Sequence, residues 1–67
     1  MNPNELKAQM VRANVSQKEL CDKIGISAAS FYRKMTGKSE FNQGEISAIA
    51  RELNLSKDTI YAVFFAN

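Results

Sequence analysis

Ser16-Gln17-Lys18-Glu19-Leu20-Cys21-Asp22-Lys23-Ile24-Gly25-Ile26-Ser27-Ala28-Ala29-Ser30-Phe31-Tyr32-Arg33-Lys34-Met35-Thr36-Gly37 is the stretch that decides the fold. Ser16 with Glu19 three residues later reads as a capping box. The serine oxygen accepts the Glu19 backbone N–H, and the carboxylate reaches back to the N–H of Ser16. Leu20, Cys21 and Ile24 follow on one face, and Gly25 stops the helix by taking a left-handed conformation. The result is a helix of only about 8 residues. Ser27 caps the next helix, in which Phe31 and Met35 stand four apart and Gly37 ends the run. Leu20, Ile24, Ile26, Phe31 and Met35 would pack the two at a steep angle, which predicts a helix-turn-helix over about residues 16–36.

The same punctuation recurs on both sides. Asn2-Pro3 places a capping side chain before a proline at the first helical position. Leu6, Met10 and Ala13 then predict a first helix running to about Ala13 with those residues on its inner face. Asn42 with Glu45 opens a fourth helix that turns Ile46, Ile49, Ala50 and Leu53 inward. Ser56 caps a fifth, with Ile60, Val63 and Phe64 as its apolar positions. Strand signals are nearly absent, and no internal repeat, linker or low-complexity tract breaks the pattern. Five short helices in 67 residues predict one compact all-α domain over 1–67.

Composition narrows what such a domain can do. There is no histidine and one cysteine, Cys21, so neither a zinc site of about four Cys/His ligands nor a disulfide framework can be built. An unpaired thiol fits a reducing, cytoplasmic compartment. No apolar run approaches the ~18 residues of a membrane span. A nucleophilic enzyme lacks a base: Cys21 sits on an inward face, where cysteine behaves as a small hydrophobe. Glu5, Glu19, Glu45 and Asp58 fall in first helical turns, where the helix dipole accounts for them. Gly25, Gly37 and Gly44 form no phosphate-cradling cluster, and no metal, cofactor or small-molecule site is evident.

Charge is informative through its distribution. The net charge is only +2, yet residues 27–38 carry Arg33, Lys34 and Lys38 and no acid, while residues 39–67 are net acidic. The outward face of the third helix reads Ser27, Ala28, Ala29, Ser30, Tyr32, Arg33. Its first half is all small residues, which would allow close approach to another surface, as major-groove recognition requires.

Residues 16–27, with their Ser-Gln-x-Glu-Leu start and Gly-Ile-Ser end, resemble the signature of the lambda-repressor-like (Xre/Cro/CI) helix-turn-helix family. Phe31-Tyr32-Arg33-Lys34-Met35-Thr36-Gly37-Lys38-Ser39-Glu40-Phe41 is similar to strings of its small phage-type repressor and Cro-like branch. The likeness continues through Glu45–Ser56 and covers nearly the whole chain. It implies a sequence-specific double-stranded DNA-binding transcriptional regulator of the bacterial cytoplasm or nucleoid, with residues 27–36 in the major groove. Position by position, it implies that Ala28, Ala29, Tyr32 and Arg33 face bases. It likewise implies that Gln17, Lys18, Ser27, Ser30, Lys38, Asn42 and Gln43 lie near phosphates, with backbone N–H groups at the start of helix 4 contributing. Alanines at 28 and 29 depart from the long polar residues of many relatives and restrict contact there to apolar atoms such as a thymine methyl.

Family repressors usually meet two-fold operators as homodimers, and the apolar tail nominates Phe64 and Phe65 as dimer candidates; one of them must leave the local core if the helix is regular. A chain ending at Asn67 is expected to be a Cro-like regulator, an excised N-terminal domain, or a small excision or decision protein. Two other readings stay open on this scaffold: a protein-interaction module (antirepressor or antitoxin-like), and an architectural or excision DNA-binding factor.

Overall fold

Among the described residues, each α-helix begins on a side-chain cap. Asn2, Ser16, Ser27, Asn42 and Ser56 accept the backbone N–H of Glu5, Glu19, Ser30, Glu45 and Thr59. Each thereby satisfies one of the donors that a helix start leaves open. The computed structural model describes residues 1–66. In it these caps open α1 (Pro3–Ala13), α2 (Gln17–Ile24), α3 (Ala28–Met35), α4 (Gln43–Leu53) and α5 (Lys57–Ile60), the last running into a π-helical turn, Tyr61–Phe65.

Three connections share one design. Asn14, Gly25 and Asn54 adopt left-handed backbone at φ 57°, 77° and 53°. The next residue in each, Val15, Ile26 or Leu55, is a half-buried aliphatic. Its N–H bonds the carbonyl five residues back, at 3.0, 3.1 and 2.9 Å. A serine cap then starts the following helix. Gly37, at φ 86°, turns the chain after α3, which itself ends at Met35.

The core is built from Leu6, Met10, Leu20, Cys21, Phe31, Phe41, Ile49, Leu53, Val63 and Phe64. α2 packs on both α3 and α4, and α1 lies between α4 and the π-turn. The Asn2 N–H donates to the Val63 carbonyl at 2.7 Å, closing the start of the chain onto its end. Phe41, in the α3–α4 loop, joins the two halves: its ring stands edge-on to Phe31 (5.8 Å) and to Phe64 (5.7 Å).

Three expectations are corrected. Ala13 is exposed, because the inner face of α1 ends at Met10 before the chain turns at Asn14. The fifth helix is not regular. The Ala66 N–H reaches the Tyr61 carbonyl at 2.9 Å, an i→i+5 bond that widens the turn. Val63 and Phe64 enter the core, as their apolar spacing with Ile60 predicts. Phe64 is buried against Phe41, which leaves Phe65 alone of the two dimer candidates on the surface.

Candidate nucleic-acid interface

α3 presents two unlike sides. Phe31 is buried and Met35 packs against the core, so the helix is seated by its inner stripe. Ala28, Ala29, Tyr32 and Arg33 are all exposed. Their spacing of one, three and one places them side by side on a single face. Ser30 is half-buried, and its N–H is taken by the Ser27 hydroxyl at 3.0 Å.

The start of α3 differs electrostatically from the other four. Glu5, Glu19, Glu45 and Asp58 place a carboxylate in the first turn of α1, α2, α4 and α5, and α3 has none. The positive end of its dipole is left uncompensated beside a surface of methyl groups. The residues at the other end are basic: Arg33 and Lys34 in the last turn, then Lys38. The N–H groups of Lys38 and Ser39 both bond the Arg33 carbonyl, at 2.9 and 3.3 Å, strapping the loop to the helix end.

Lys34 does not belong to the outward face. Its ammonium lies 3.3 Å from a Glu45 carboxylate oxygen and 5.9 Å from the Phe41 ring centroid, and the two charged side chains are only 13% and 14% exposed. Of the three cations counted over residues 27–38, Arg33 and Lys38 remain directed to solvent. The spacing carried the signal, since Lys34 follows the buried Phe31 by three residues and so shares its side of the helix.

The flanking elements supply a second set of exposed polar groups. Gln17 and Lys18 open α2, and Lys18 holds Asp22 at 3.3 Å in a pair that is largely exposed. Asn42 and Gln43 open α4. There the expected open N-terminus is partly closed: the Asn42 N–H donates to Glu45 at 2.9 Å, and the Asn42 side chain accepts the Glu45 N–H at 2.8 Å. Gln43 and Gly44 keep the first-turn N–H groups that this box does not use. Cys21 lies on the opposite side, in the core. Burial pushes its thiol above the ordinary range, and the charge of Asp22 adds to the effect, so it stays a neutral thiol.

Among the described residues, no helix is long and apolar enough to cross a membrane. Comparison with curated proteins and with solved structures gives no match. The family model for the Cro/C1-type helix-turn-helix DNA-binding domain, in contrast, matches residues 5–63, from the first turn of α1 into the π-turn. That span contains the seated helix pair, the acid-free start of α3 and the loop strapped to its end. The chain belongs to the Cro/C1-type helix-turn-helix DNA-binding family.

Proposed function

We propose that this chain is a sequence-specific double-stranded DNA-binding transcriptional regulator of the phage or prophage repressor or Cro-like type, with α3 in the major groove. The observation that carries the reading is the exposed row Ala28, Ala29, Tyr32, Arg33 on the one α-helix among the described residues whose first turn holds no carboxylate. Small side chains at the entering end let the backbone come close to base edges, and Arg33 supplies a fork suited to the two major-groove acceptors of guanine. Lys38, Gln17, Gln43 and the first-turn N–H groups of α4 fix register on phosphates, and Lys18, Ser27, Ser30 and Asn42 border the same strands. With alanine at 28 and 29, direct readout is sparse and groove shape contributes to selectivity. Regulation results from occupancy of a promoter-proximal site.

Selection of duplexes from a random library at about physiological salt tests this reading. The expected result is enrichment of a two-fold symmetric site with a steep fall in affinity as salt rises. Retention of DNA only at low salt, with no sequence enriched, would refute specific regulation.

Two-fold symmetry requires a dimer, and Phe65 is the side chain that fits one. It is 60% exposed, its ring lies 6.4 Å from that of the equally outward Tyr61, and it borders an apolar groove with Ile46, Ala50 and Ile60. Phe65→Asp is expected to shift sedimentation to a monomer while leaving the helical circular dichroism intact. A dimer unaffected by the substitution would remove this surface from the assembly.

A further inference from the structure

α3 and α4 carry the two halves of the proposed interface, yet their backbones make little direct contact; each is packed instead on α2. Side chains join them directly at a junction around Glu45. Its carboxylate lies 3.3 Å from the Lys34 ammonium on the last turn of α3, and the same oxygen accepts the Asn42 N–H at 2.9 Å. Phe41, whose ring centroid lies 5.9 Å from that ammonium, is held edge-on by Phe31. A single oxygen thus binds the end of the recognition helix, the end of the loop carrying Lys38 and the first turn of α4.

An ion pair this sheltered is a poor source of net stability, because desolvating two charges offsets most of their attraction. What it supplies is geometry: the charged partners are satisfied in one arrangement of α3 relative to α4 and in few others. We propose that Lys34 and Glu45 are positioning residues for DNA recognition. They set the angle at which the base-facing row of α3 and the phosphate-facing groups of the loop and α4 reach the duplex in a single register. The inference rests on the DNA-binding reading above and names two residues that touch no DNA in it.

The test compares the wild type with Lys34→Met, Lys34→Arg, Glu45→Gln and the Lys34→Met/Glu45→Gln double variant. Methionine keeps the apolar stem of Lys34, and glutamine keeps an oxygen for the Asn42 N–H, so thermal unfolding followed by circular dichroism is expected to show all four folded. The readout is the ratio of affinity for the selected duplex to affinity for a scrambled duplex of equal length and salt. Lys34→Met and Glu45→Gln are each expected to lower that ratio on the order of tenfold, about the worth of one mismatched base pair. Lys34→Arg, which restores a cation opposite Glu45, is expected to keep the wild-type ratio. The double variant should lose no more than the worse single one, since both break the same junction.

Wild-type ratios in Lys34→Met and Glu45→Gln would overturn the proposal, as would a loss in Lys34→Arg equal to that in Lys34→Met. A wild type that itself favours no duplex would refute the DNA reading and this inference together, whereas a discriminating wild type matched by its variants would refute this inference alone.

Discussion

The junctions at residues 25–27 and 54–56 are built alike and lead to opposite ends. Gly25-Ile26-Ser27 and Asn54-Leu55-Ser56 both run through a left-handed residue and a half-buried aliphatic to a serine cap, and the caps agree closely, at φ −77°, ψ 159° and φ −74°, ψ 165°. Four residues beyond the cap each helix turns an apolar side chain inward (Phe31, Ile60), and five beyond it each exposes a tyrosine, Tyr32 at 64% and Tyr61 at 63%. Three of the differences between them change the charge of the exposed side: one residue after the cap stands Ala28 in α3 and Lys57 in α5. Two residues after the cap stands Ala29 in α3 and Asp58 in α5; six after it stands Arg33 in α3 and Ala62 in the π-turn that continues α5. A single way of starting a helix thus yields a positively biased, exposed end in α3. In α5 it yields a carboxylate-compensated turn that dives into the core through Val63 and Phe64. Backbone geometry gives the helix its start, and the side chains beyond the cap decide what meets that start.

The most disruptive way to break this contrast is to give α3 the carboxylate of α5. Ala29→Asp places a negative charge in the first turn, where the helix dipole stabilises it by about 0.3–1 kcal/mol. Stability is therefore expected to hold or rise. A phosphate about 6 Å away would be repelled by about 3 kcal/mol at an effective dielectric of about 20, so duplex affinity is expected to fall on the order of a hundredfold at low salt and less at high salt. Ala29→Asn, of the same size and neutral, separates charge from bulk in the same titration. Equal losses in both variants would assign the effect to crowding, and no loss in either would take the start of α3 off the DNA.

The difference at Arg33 is tested by Arg33→Ala, which installs in α3 the residue that the π-turn carries at the matching position, Ala62. Loss of a fork held on guanine is expected to cost about 1–3 kcal/mol and to relax preference at one base pair in the selected site. Uniform weakening across all sequences, with a shallower salt slope, would make Arg33 a phosphate contact and leave base selection to groove shape.

Most of the fold is legible in the sequence because its signals are local. Capping residues, the glycine stop at 25 and the apolar stripes act within a turn or two, and they place the five helix starts where the structure has them. The features that are not legible depend on partners distant along the chain. Phe41 lies in a loop with no periodicity, and only the arrival of Phe31 and Phe64 makes it core. The π-turn at Tyr61–Phe65 has no sequence signature here, although the apolar spacing of Ile60, Val63 and Phe64 already points Phe64 inward. Counting charge credits Lys34 to the basic segment because a count ignores direction, although its spacing from Phe31 points it inward to Glu45. Likeness between the 25–27 and 54–56 junctions is not a sequence repeat, because it lies in backbone conformation, with serine the one residue the two triplets share at the same place.

The smallest expected effect comes from exchanging the left-handed residues themselves. Nothing lies within 4 Å of a Cβ built on Gly25, so a side chain there meets backbone strain and no collision. Asparagine already holds φ 57° and 53° at Asn14 and Asn54, where its short amide tolerates the conformation. Gly25→Asn is therefore expected to change unfolding free energy by no more than about 0.5 kcal/mol, and Gly25→Ala to cost about 1 kcal/mol, since alanine carries the Cβ penalty without the amide. Asn54→Gly should likewise fall within about 0.5 kcal/mol, because glycine regains the φ it prefers and loses chain entropy in exchange. Urea unfolding of the three variants checks the equivalence. A Gly25→Asn cost well above that of Gly25→Ala would mean that the turn before α3 needs open space that the turn before α5 does not. The two junctions would then differ in the backbone of the turn as well as in the side chains of the helix beyond it.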